Sequence, residues 1–199
     1  MKKFVPLLAL CLTTLLLPSC SPAPLGSASG NADSSSVIDT SSPADDAESL
    51  LAQIDTVTLD GQAVSSTELA GQRLTVLNIW ATWCPPCVAE LPHLQQVSQE
   101  YADQGVAIVG VLQDGVDKNL APADHTILAG QALLAEAGAT YPVILPDQAI
   151  AQTLISQMQY FPTTFFLDAE GVVVKMVIGS TDTEGWRAEI ENVLAQLDG

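Results

Sequence analysis

Hydrophobic and polar residues alternate with different periods along the chain from about residue 53 onward, and the period distinguishes strands from helices. Almost entirely apolar runs predict buried strands at 74–80 and 106–112. Apolar residues at three- and four-residue spacing predict helices, and shorter segments bounded by turn residues predict further strands. These helices are predicted at 88–101, 126–137, 148–158 and 181–197, and the shorter strands at 55–59, 63–65, 142–145, 163–167 and 172–178.

Turn residues indicate how these segments connect. Asp60-Gly61 lies between the first two short strands and predicts an N-terminal hairpin, and the segment 168–171 predicts a second hairpin. Thr181-Asp182-Thr183-Glu184 has the form of a capping box that opens the last helix, with Thr181 as its first residue. Strands that alternate with helices and then end in an antiparallel pair predict an α/β domain with a mixed sheet.

The N-terminus has a different pattern. Lys2 and Lys3 precede an apolar segment, 4–17, that is too short to span a bilayer and has the basic flank of an export signal. The sequence Leu17-Pro18-Ser19-Cys20 then resembles the lipidation site of a bacterial lipoprotein. This resemblance implies that residues 1–19 are removed as a lipoprotein signal and that Cys20 carries lipid. The alternative is an ordinary cysteine that follows a cleaved signal.

The segment that follows Cys20 is rich in serine, alanine, proline, glycine and aspartate, and it has too few large apolar residues to build a core. We therefore predict a lipidated cysteine and a disordered tether at 20–50, with a reach of roughly 30 Å. The remaining residues, 51–199, are enough for one domain with a single core.

Charge narrows the choice of partners. The six basic residues less Lys2 and Lys3 leave four against 23 acidic residues, a formal net charge of −19 after removal of the signal. Nucleic acid and anionic lipid are poor partners for such a surface. The acidity favours solubility outside the cytoplasm, and the attraction of a basic substrate is the alternative explanation.

The candidate chemistry is concentrated at Trp83-Cys84-Pro85-Pro86-Cys87, between a predicted strand and a predicted helix. A helix N-terminus favours a thiolate, and two nearby cysteines supply both an attacking and a resolving sulfur. We expect Cys84 to be the exposed nucleophile at the N-cap and Cys87 to be shielded one turn inside. Pro85 suits the first helical position because its missing N–H has no intrahelical partner there.

Other uses of two cysteines at this spacing fit the sequence less well, although spacing alone leaves a structural disulfide open. A zinc site needs four ligands, yet Cys11 leaves with the signal, Cys20 carries lipid, and His93 and His125 are isolated. Haem attachment requires a histidine where Val88 stands. The sequence therefore predicts a redox-active dithiol and no metal.

Three segments together resemble the TlpA/ResA-like branch of the thioredoxin superfamily: 78–87 with its Cys-Pro-Pro-Cys turn, Glu90-Leu91-Pro92, and 161–168 with the sequence Phe-Pro-Thr-Thr-Phe-Phe-Leu-Asp. The resemblance covers 53–197 and implies a thioredoxin fold. In this fold helices cover both faces of a central mixed sheet, which gives three layers, α/β/α. The resemblance further implies an N-terminal β-hairpin extension and a central helical insertion before Pro162. Members of this family are membrane-anchored, extracytoplasmic thiol-disulfide oxidoreductases, most often reductants in cytochrome c maturation or related repair.

The resemblance also implies roles for individual residues. Pro162 would be a cis-proline that faces the dithiol, which leaves the backbone of Phe161 free to pair with an extended substrate. Glu90, about one turn after Cys87, would exchange protons with its thiol, and an exposed helix glutamate is the alternative. Asn78 stands where thioredoxins proper carry a buried aspartate, which moves the proton-handling role toward Glu90.

Together these observations predict an enzyme, a monomeric protein disulfide reductase lipid-anchored to the extracytoplasmic side of the cell membrane. Cys84 attacks a client disulfide and Cys87 resolves the mixed disulfide, while Trp83 walls the substrate groove. A membrane thiol protein donates the electrons, and no cofactor is required because no Gly-x-Gly-x-x-Gly occurs. Two alternatives are a thiol peroxidase of the redoxin type, although Arg73 and Arg187 lie far from Cys84 in sequence, and a non-enzymatic copper(I) carrier.

Overall fold

The computed structural model of the chain describes residues 50–69 and 71–199. The predicted signal at 1–19, the lipidated Cys20 and nearly all of the tether lie outside these residues. Leu50, the last residue of the predicted tether, opens the first helix and is buried in the core. No helix in the described part of the chain is long and apolar enough to cross a membrane.

Within the described residues, a two-stranded hairpin precedes a five-stranded mixed sheet with the order β5-β4-β3-β6-β7. The three strands β3, β4 and β5 are parallel, whereas β6 is antiparallel to both β3 and β7. The hairpin consists of β1 (Asp55–Val57) and β2 (Ala63–Ser65), and the sheet of β3 (Leu74–Trp80), β4 (Val106–Leu112), β5 (Val143–Ile144), β6 (Thr163–Leu167) and β7 (Val173–Ile178). This topology confirms the predicted mixed sheet and both hairpins.

Helices connect these strands and cover both faces of the sheet. The α-helices are α1 (Leu50–Gln53), α2 (Ser66–Leu69), α3 (Pro85–Tyr101), α4 (Asp124–Ala137), α5 (Gln148–Thr153) and α6 (Thr183–Leu197), with 3₁₀ turns at Ala102–Gln104, Gln113–Gly115 and Ile155–Gln157. The predicted helix at 148–158 is therefore shorter than expected, because the chain tightens into a 3₁₀ turn after α5. Such turns are frequent where an α-helix ends.

Strand β3 is buried on both sides, and its alternating residues divide the core into two halves. Val76 and Trp80 point toward α3, α4 and α6, whereas Leu77 and Ile79 point toward α1, α2 and α5. Helices on both faces of a mostly parallel centre form a three-layer α/β/α arrangement. The sheet edge at which β3 ends and α3 begins therefore carries the residues that the sequence predicted to be reactive.

The start of α6 differs from the predicted capping box. Asp182, and not Thr181, is the N-cap, and its carboxylate accepts a hydrogen bond from the Gly185 N–H at 2.9 Å. Thr181 instead packs against Gly185, where an added Cβ would lie 2.0 Å from the Thr181 hydroxyl oxygen. The prediction of Thr181 as the cap is therefore wrong by one residue: the Asp182 side chain caps the helix, and Gly185, which has no Cβ, leaves room for the Thr181 side chain beside it.

Candidate active site

The cysteine pair lies at the turn from β3 into α3. Cys84 is the N-cap of α3, and Pro85 and Pro86 occupy the first two helical positions, as the spacing predicted. Cys84 and Cys87 form a disulfide with a Cα–Cα distance of 5.3 Å. The Cys87 N–H also points at Cys84 Sγ, at 3.3 Å. This N–H and the positive end of the helix dipole favour a thiolate at Cys84 once the disulfide is reduced.

The two sulfur-bearing residues differ in their access to solvent. Cys84 keeps 4% of its surface exposed, whereas Cys87 keeps none. Cys87 is thus shielded as predicted, but the prediction of a freely exposed Cys84 is wrong for the disulfide form. Cys84 belongs to the same apolar cluster as Cys87, and only a small part of its surface can be reached from outside.

Three aromatic residues next to Cys84, namely Trp83, Phe161 and Tyr160, form an aromatic rim. Trp83 is 63% exposed, and its ring meets that of Phe161 edge to face, with centroids 5.5 Å apart. Phe161 and Pro162 are joined by a cis peptide bond, and Pro162 is itself buried. The Trp83–Phe161 contact therefore brings the loop that contains Pro162 against the residue that precedes Cys84. Tyr160, 62% exposed, continues the rim.

Glu90 is buried on the inner face of α3, with 1% of its surface exposed, so the alternative of an exposed helix glutamate is wrong. Asn78 Nδ2 donates hydrogen bonds of 2.9 Å to Glu90 Oε1 and to the Thr164 hydroxyl. Burial raises the pKa of Glu90 from 4.5 to about 8, although the Asn78 hydrogen bond and the nearby Thr181 backbone lower it in part. Near neutral pH this carboxyl holds its proton and can exchange it.

Two further residues, Thr82 and Asp114, support the site although no role was predicted for either of them. The Asp114 carboxylate accepts hydrogen bonds from the Thr82 backbone N–H, at 3.2 Å, and from the Thr82 hydroxyl, at 2.5 Å. This contact ties the loop after β4 to the turn that carries the cysteines. Asp114 lies directly after a parallel strand, at the carboxyl edge where functional loops of α/β sheets meet, and that position was the available clue.

Neither arginine of the chain is free to serve a peroxidatic cysteine. Arg73 pairs with Asp198, and Arg187 pairs with Glu100 and Glu184. Among residues 50–69 and 71–199, no group of three or more histidine, cysteine, aspartate and glutamate side chains could hold a metal ion.

Comparison with known proteins identifies the family. The sequence model described as Redoxin matches residues 36–195. The chain belongs to the Redoxin family. Among curated relatives of this redoxin, the thiol-disulfide oxidoreductase ResA of Oceanobacillus iheyensis is 29% identical over 138 residues, which cover 69% of this chain and 66% of the relative. The thiol:disulfide interchange protein DsbE of Pasteurella multocida is 29% identical, over 61% of this chain and 60% of the relative.

The matched segment thus spans slightly less than two thirds of the length of these relatives.

Solved structures show the same fold. A thiol:disulfide interchange protein from Chlorobium tepidum, of the thioredoxin family, superposes with a TM-score of 0.57 at 27% identity, over 71% of this chain and 92% of that structure. A DsbF homologue from Corynebacterium diphtheriae superposes with a TM-score of 0.55 at 26% identity, over 70% of this chain and 83% of that structure. The predicted thioredoxin fold and the TlpA/ResA-like assignment of this redoxin are confirmed.

Proposed function

We propose that this redoxin is an extracytoplasmic, membrane-anchored thiol-disulfide oxidoreductase that reduces disulfides of client proteins. The observation that carries the proposal is the Cys84–Cys87 disulfide at the N-terminus of α3, with residual access at Cys84 and none at Cys87. A structural disulfide would not need a helix N-terminus aimed at one sulfur or an exposed aromatic residue beside it. The names of the ResA and DsbE relatives support the same activity.

The reaction begins with both cysteines reduced. The Cys84 thiolate attacks one sulfur of the client disulfide, and the other client sulfur leaves as a thiolate and takes up a proton. Cys87 then loses its proton and attacks Cys84 Sγ, which re-forms the internal disulfide and releases the second client thiol. The client gains two electrons and the dithiol loses two. Because Cys87 is shielded, its geometry restricts it to this second step.

Glu90 is the candidate acceptor of the Cys87 proton in the fraction of molecules in which its carboxyl is ionised, and that fraction grows as the pH approaches about 8. It lies three residues after Cys87 on α3, which is about one helical turn, and it is buried on the same side of the helix. Its raised pKa, about 8, is close to that of a thiol, and proton exchange between groups of similar pKa is efficient. An ordinary surface glutamate would be too weak a base for this role.

The aromatic rim is the candidate client-binding surface. Trp83 offers an exposed apolar ring directly before the nucleophile, and Phe161 supports it from the loop of the cis-proline. We propose that an extended client segment lies across Trp83, Phe161 and Pro162 and pairs with the Phe161 backbone. Main-chain pairing would let the site accept many sequences, because backbone groups are common to all clients.

The N-terminal pattern supports the proposed location. Lys2, Lys3 and the apolar segment 4–17 have the form of an export signal, and Cys20 would anchor the mature chain through lipid. The tether at 20–50 would hold a monomeric domain clear of the membrane, within reach of a membrane thiol protein that returns the electrons. Cytochrome c maturation is the proposed setting, because members of the TlpA/ResA-like branch that this chain resembles act there most often as reductants.

Reduction of insulin disulfides by the full-length protein, with dithiothreitol as electron source, tests the activity. We expect Cys84→Ser to abolish catalysis and Cys87→Ser to accumulate mixed disulfides, while Cys20→Ala, which changes the proposed lipidation site and neither cysteine of the disulfide, keeps the activity. Peroxide consumption and copper(I) binding are measured on the same samples. Full insulin reduction by Cys84→Ser would refute the proposal, and Cys84-dependent peroxide turnover without insulin reduction would favour a peroxidase.

A further inference from the structure

A group of polar side chains is buried on the inner face of α3, between that helix and the sheet. Asn78 on β3 pairs in register with Gly110 on β4, and both positions face α3, as Trp80 does two residues further on. Glu90 reaches the same place from α3, where it meets Asn78. Tyr141, just before β5, belongs to the same buried cluster as Trp80.

The glycine on β4 brings two of these rings together. An added Cβ at Gly110 would lie 3.2 Å from Trp80 Nε1 and 3.3 Å from Tyr141 Cε2. The indole and the phenol therefore share the space that a side chain at position 110 would otherwise fill. The backbone at Tyr141 is held by α3, because Gln95 Oε1 accepts hydrogen bonds from the N–H groups of Thr140, at 2.6 Å, and Tyr141, at 3.2 Å.

Each of these four side chains has one buried polar atom without a hydrogen-bond partner of good geometry among the described residues. The atoms are Asn78 Oδ1, Trp80 Nε1, Glu90 Oε2 and Tyr141 OH. Buried polar atoms in folded proteins almost always have partners, supplied either by protein or by a bound water. A second buried tyrosine, Tyr101 at the end of α3, follows this rule, since Tyr101 OH donates to Glu191 at 2.9 Å.

The four atoms are complementary in kind. The indole N–H and the phenol O–H are donors, whereas the amide oxygen and the ionised carboxylate oxygen are acceptors. One water molecule accepts two hydrogen bonds and donates two, so this set matches the bonding capacity of a single bound water. A set of four donors, or of four acceptors, would not match the bonding capacity of one water.

We propose that Tyr141 is a positioning residue for Glu90: its hydroxyl, joined to Glu90 Oε2 through a bound water, stabilises the carboxylate that exchanges a proton with Cys87. The proposal rests on the proposed role of Glu90 and extends it to a residue 51 positions away in sequence. Trp80 Nε1 and Asn78 Oδ1 complete the surroundings of the water. Tyr141 itself stays protonated, since burial and then the charge of Glu90 raise its pKa.

Few other titratable groups are near enough to disturb this arrangement. On α3 they are Cys87, one turn before Glu90, and His93, whose Nδ1 lies 2.9 Å from the Thr183 hydroxyl at the start of α6. From α4, Glu136 lines a surface groove together with Ala89 and Pro92, on the outer side of α3. None of these three groups has an atom in the buried set, to which the Tyr141 hydroxyl belongs.

Direct titration of Glu90 tests the proposal independently of any activity. The full-length protein in its disulfide form, in which Cys87 does not titrate, is labelled with ¹³C at glutamate carboxyls and followed by NMR between pH 4 and pH 10. We expect Tyr141→Phe to raise the pKa of Glu90 by about one unit, because a hydrogen bond to the charged form is lost. The matched control, Tyr101→Phe, should leave it unchanged. An unchanged pKa in folded Tyr141→Phe would overturn the proposal.

A second substitution at the same position acts in the opposite direction. Incorporation of 3,5-difluorotyrosine at residue 141 makes the hydroxyl a stronger donor, so the pKa of Glu90 should fall. This measurement also decides the matter if Tyr141→Phe does not fold, and a pKa that fails to fall would overturn the proposal.

The consequence for catalysis is measured on reduced protein. The pH profile of disulfide reduction should move upward in Tyr141→Phe and should not move when the same change is made in Glu90→Gln. A shift that persists in Glu90→Gln would show that Tyr141 acts elsewhere and would overturn the proposal. If the NMR shift is present but no variant reduces disulfides, the proposed function fails while the link between Tyr141 and Glu90 stands.

Discussion

Replacement of Glu90 by glutamine should change how the stability of the oxidised protein depends on pH. The Glu90 carboxyl is 1% exposed, and burial raises its pKa from 4.5 to about 8. Because the folded state holds this proton more tightly than the unfolded chain does, ionisation of Glu90 opposes folding. Glutamine keeps the shape and can still accept from Asn78 Nδ2, but it does not titrate.

The sign and the window follow from the two pKa values. Below pH 4.5 the carboxyl is protonated in both states, so it adds no pH dependence. Between pH 4.5 and about 8 only the unfolded chain is ionised, and stability falls by about 1.4 kcal/mol for each pH unit. Above that range both states are ionised, and the accumulated loss is constant at about 5 kcal/mol.

Urea unfolding of the disulfide form from pH 4 to pH 9 measures this effect. Subtracting the free energy of unfolding of Glu90→Gln from that of the wild type cancels the other carboxylates, so the difference isolates Glu90. We expect it to fall through the stated window. Glu170→Gln, which removes an exposed carboxylate from the turn between β6 and β7, should give a difference that is nearly flat. A flat difference for Glu90→Gln as well would refute the reasoning.

Three further predictions concern the two cysteines of the site, the exposed Trp83 and the proposed lipid anchor. In the reduced native protein Cys84 should react with iodoacetamide faster than Cys87, because only Cys84 retains exposure; the reverse order would overturn their roles. Trp83→Ala should lower kcat/KM for insulin about tenfold and leave reduction of a small disulfide reagent unchanged, since the ring is exposed and serves only large clients; equal loss for both would contradict this. Cys20→Ala should move active protein from the membrane to the soluble fraction, and its retention at the membrane would remove lipidation as the anchor.

Local sequence was enough to predict the cysteine turn and most of the elements. The N-cap position of Cys84 and the helical start at Pro85 depend on neighbouring residues and on backbone constraints within one turn. The buried strand β3 could be recognised because a strand with helices on both faces is apolar at nearly every position. The Asp60-Gly61 hairpin depends likewise on a turn of adjacent residues.

Some features came from the family resemblance and not from local rules. By position alone Pro162 would be an ordinary proline at the start of a strand, and Glu90 an exposed residue of a helix. The structure has a cis bond before Pro162 and a buried Glu90 that is hydrogen-bonded to Asn78. Neither outcome follows from the residues next to these positions in sequence.

Tertiary structure alone decided which distant residues meet. Asp114 supports Thr82 across 32 positions, and Tyr141 joins the buried set near Glu90 because Gly110 leaves space beside Trp80. These contacts depend on strand register and on how helices stack over the sheet, and many residues together determine both. Packing also overrode a local pattern at the start of α6. Short-range steric constraints and hydrogen bonds depend on adjacent residues, so sequence predicts them. The burial of Glu90, and with it the pKa of this residue, depends on how the layers of the fold pack together.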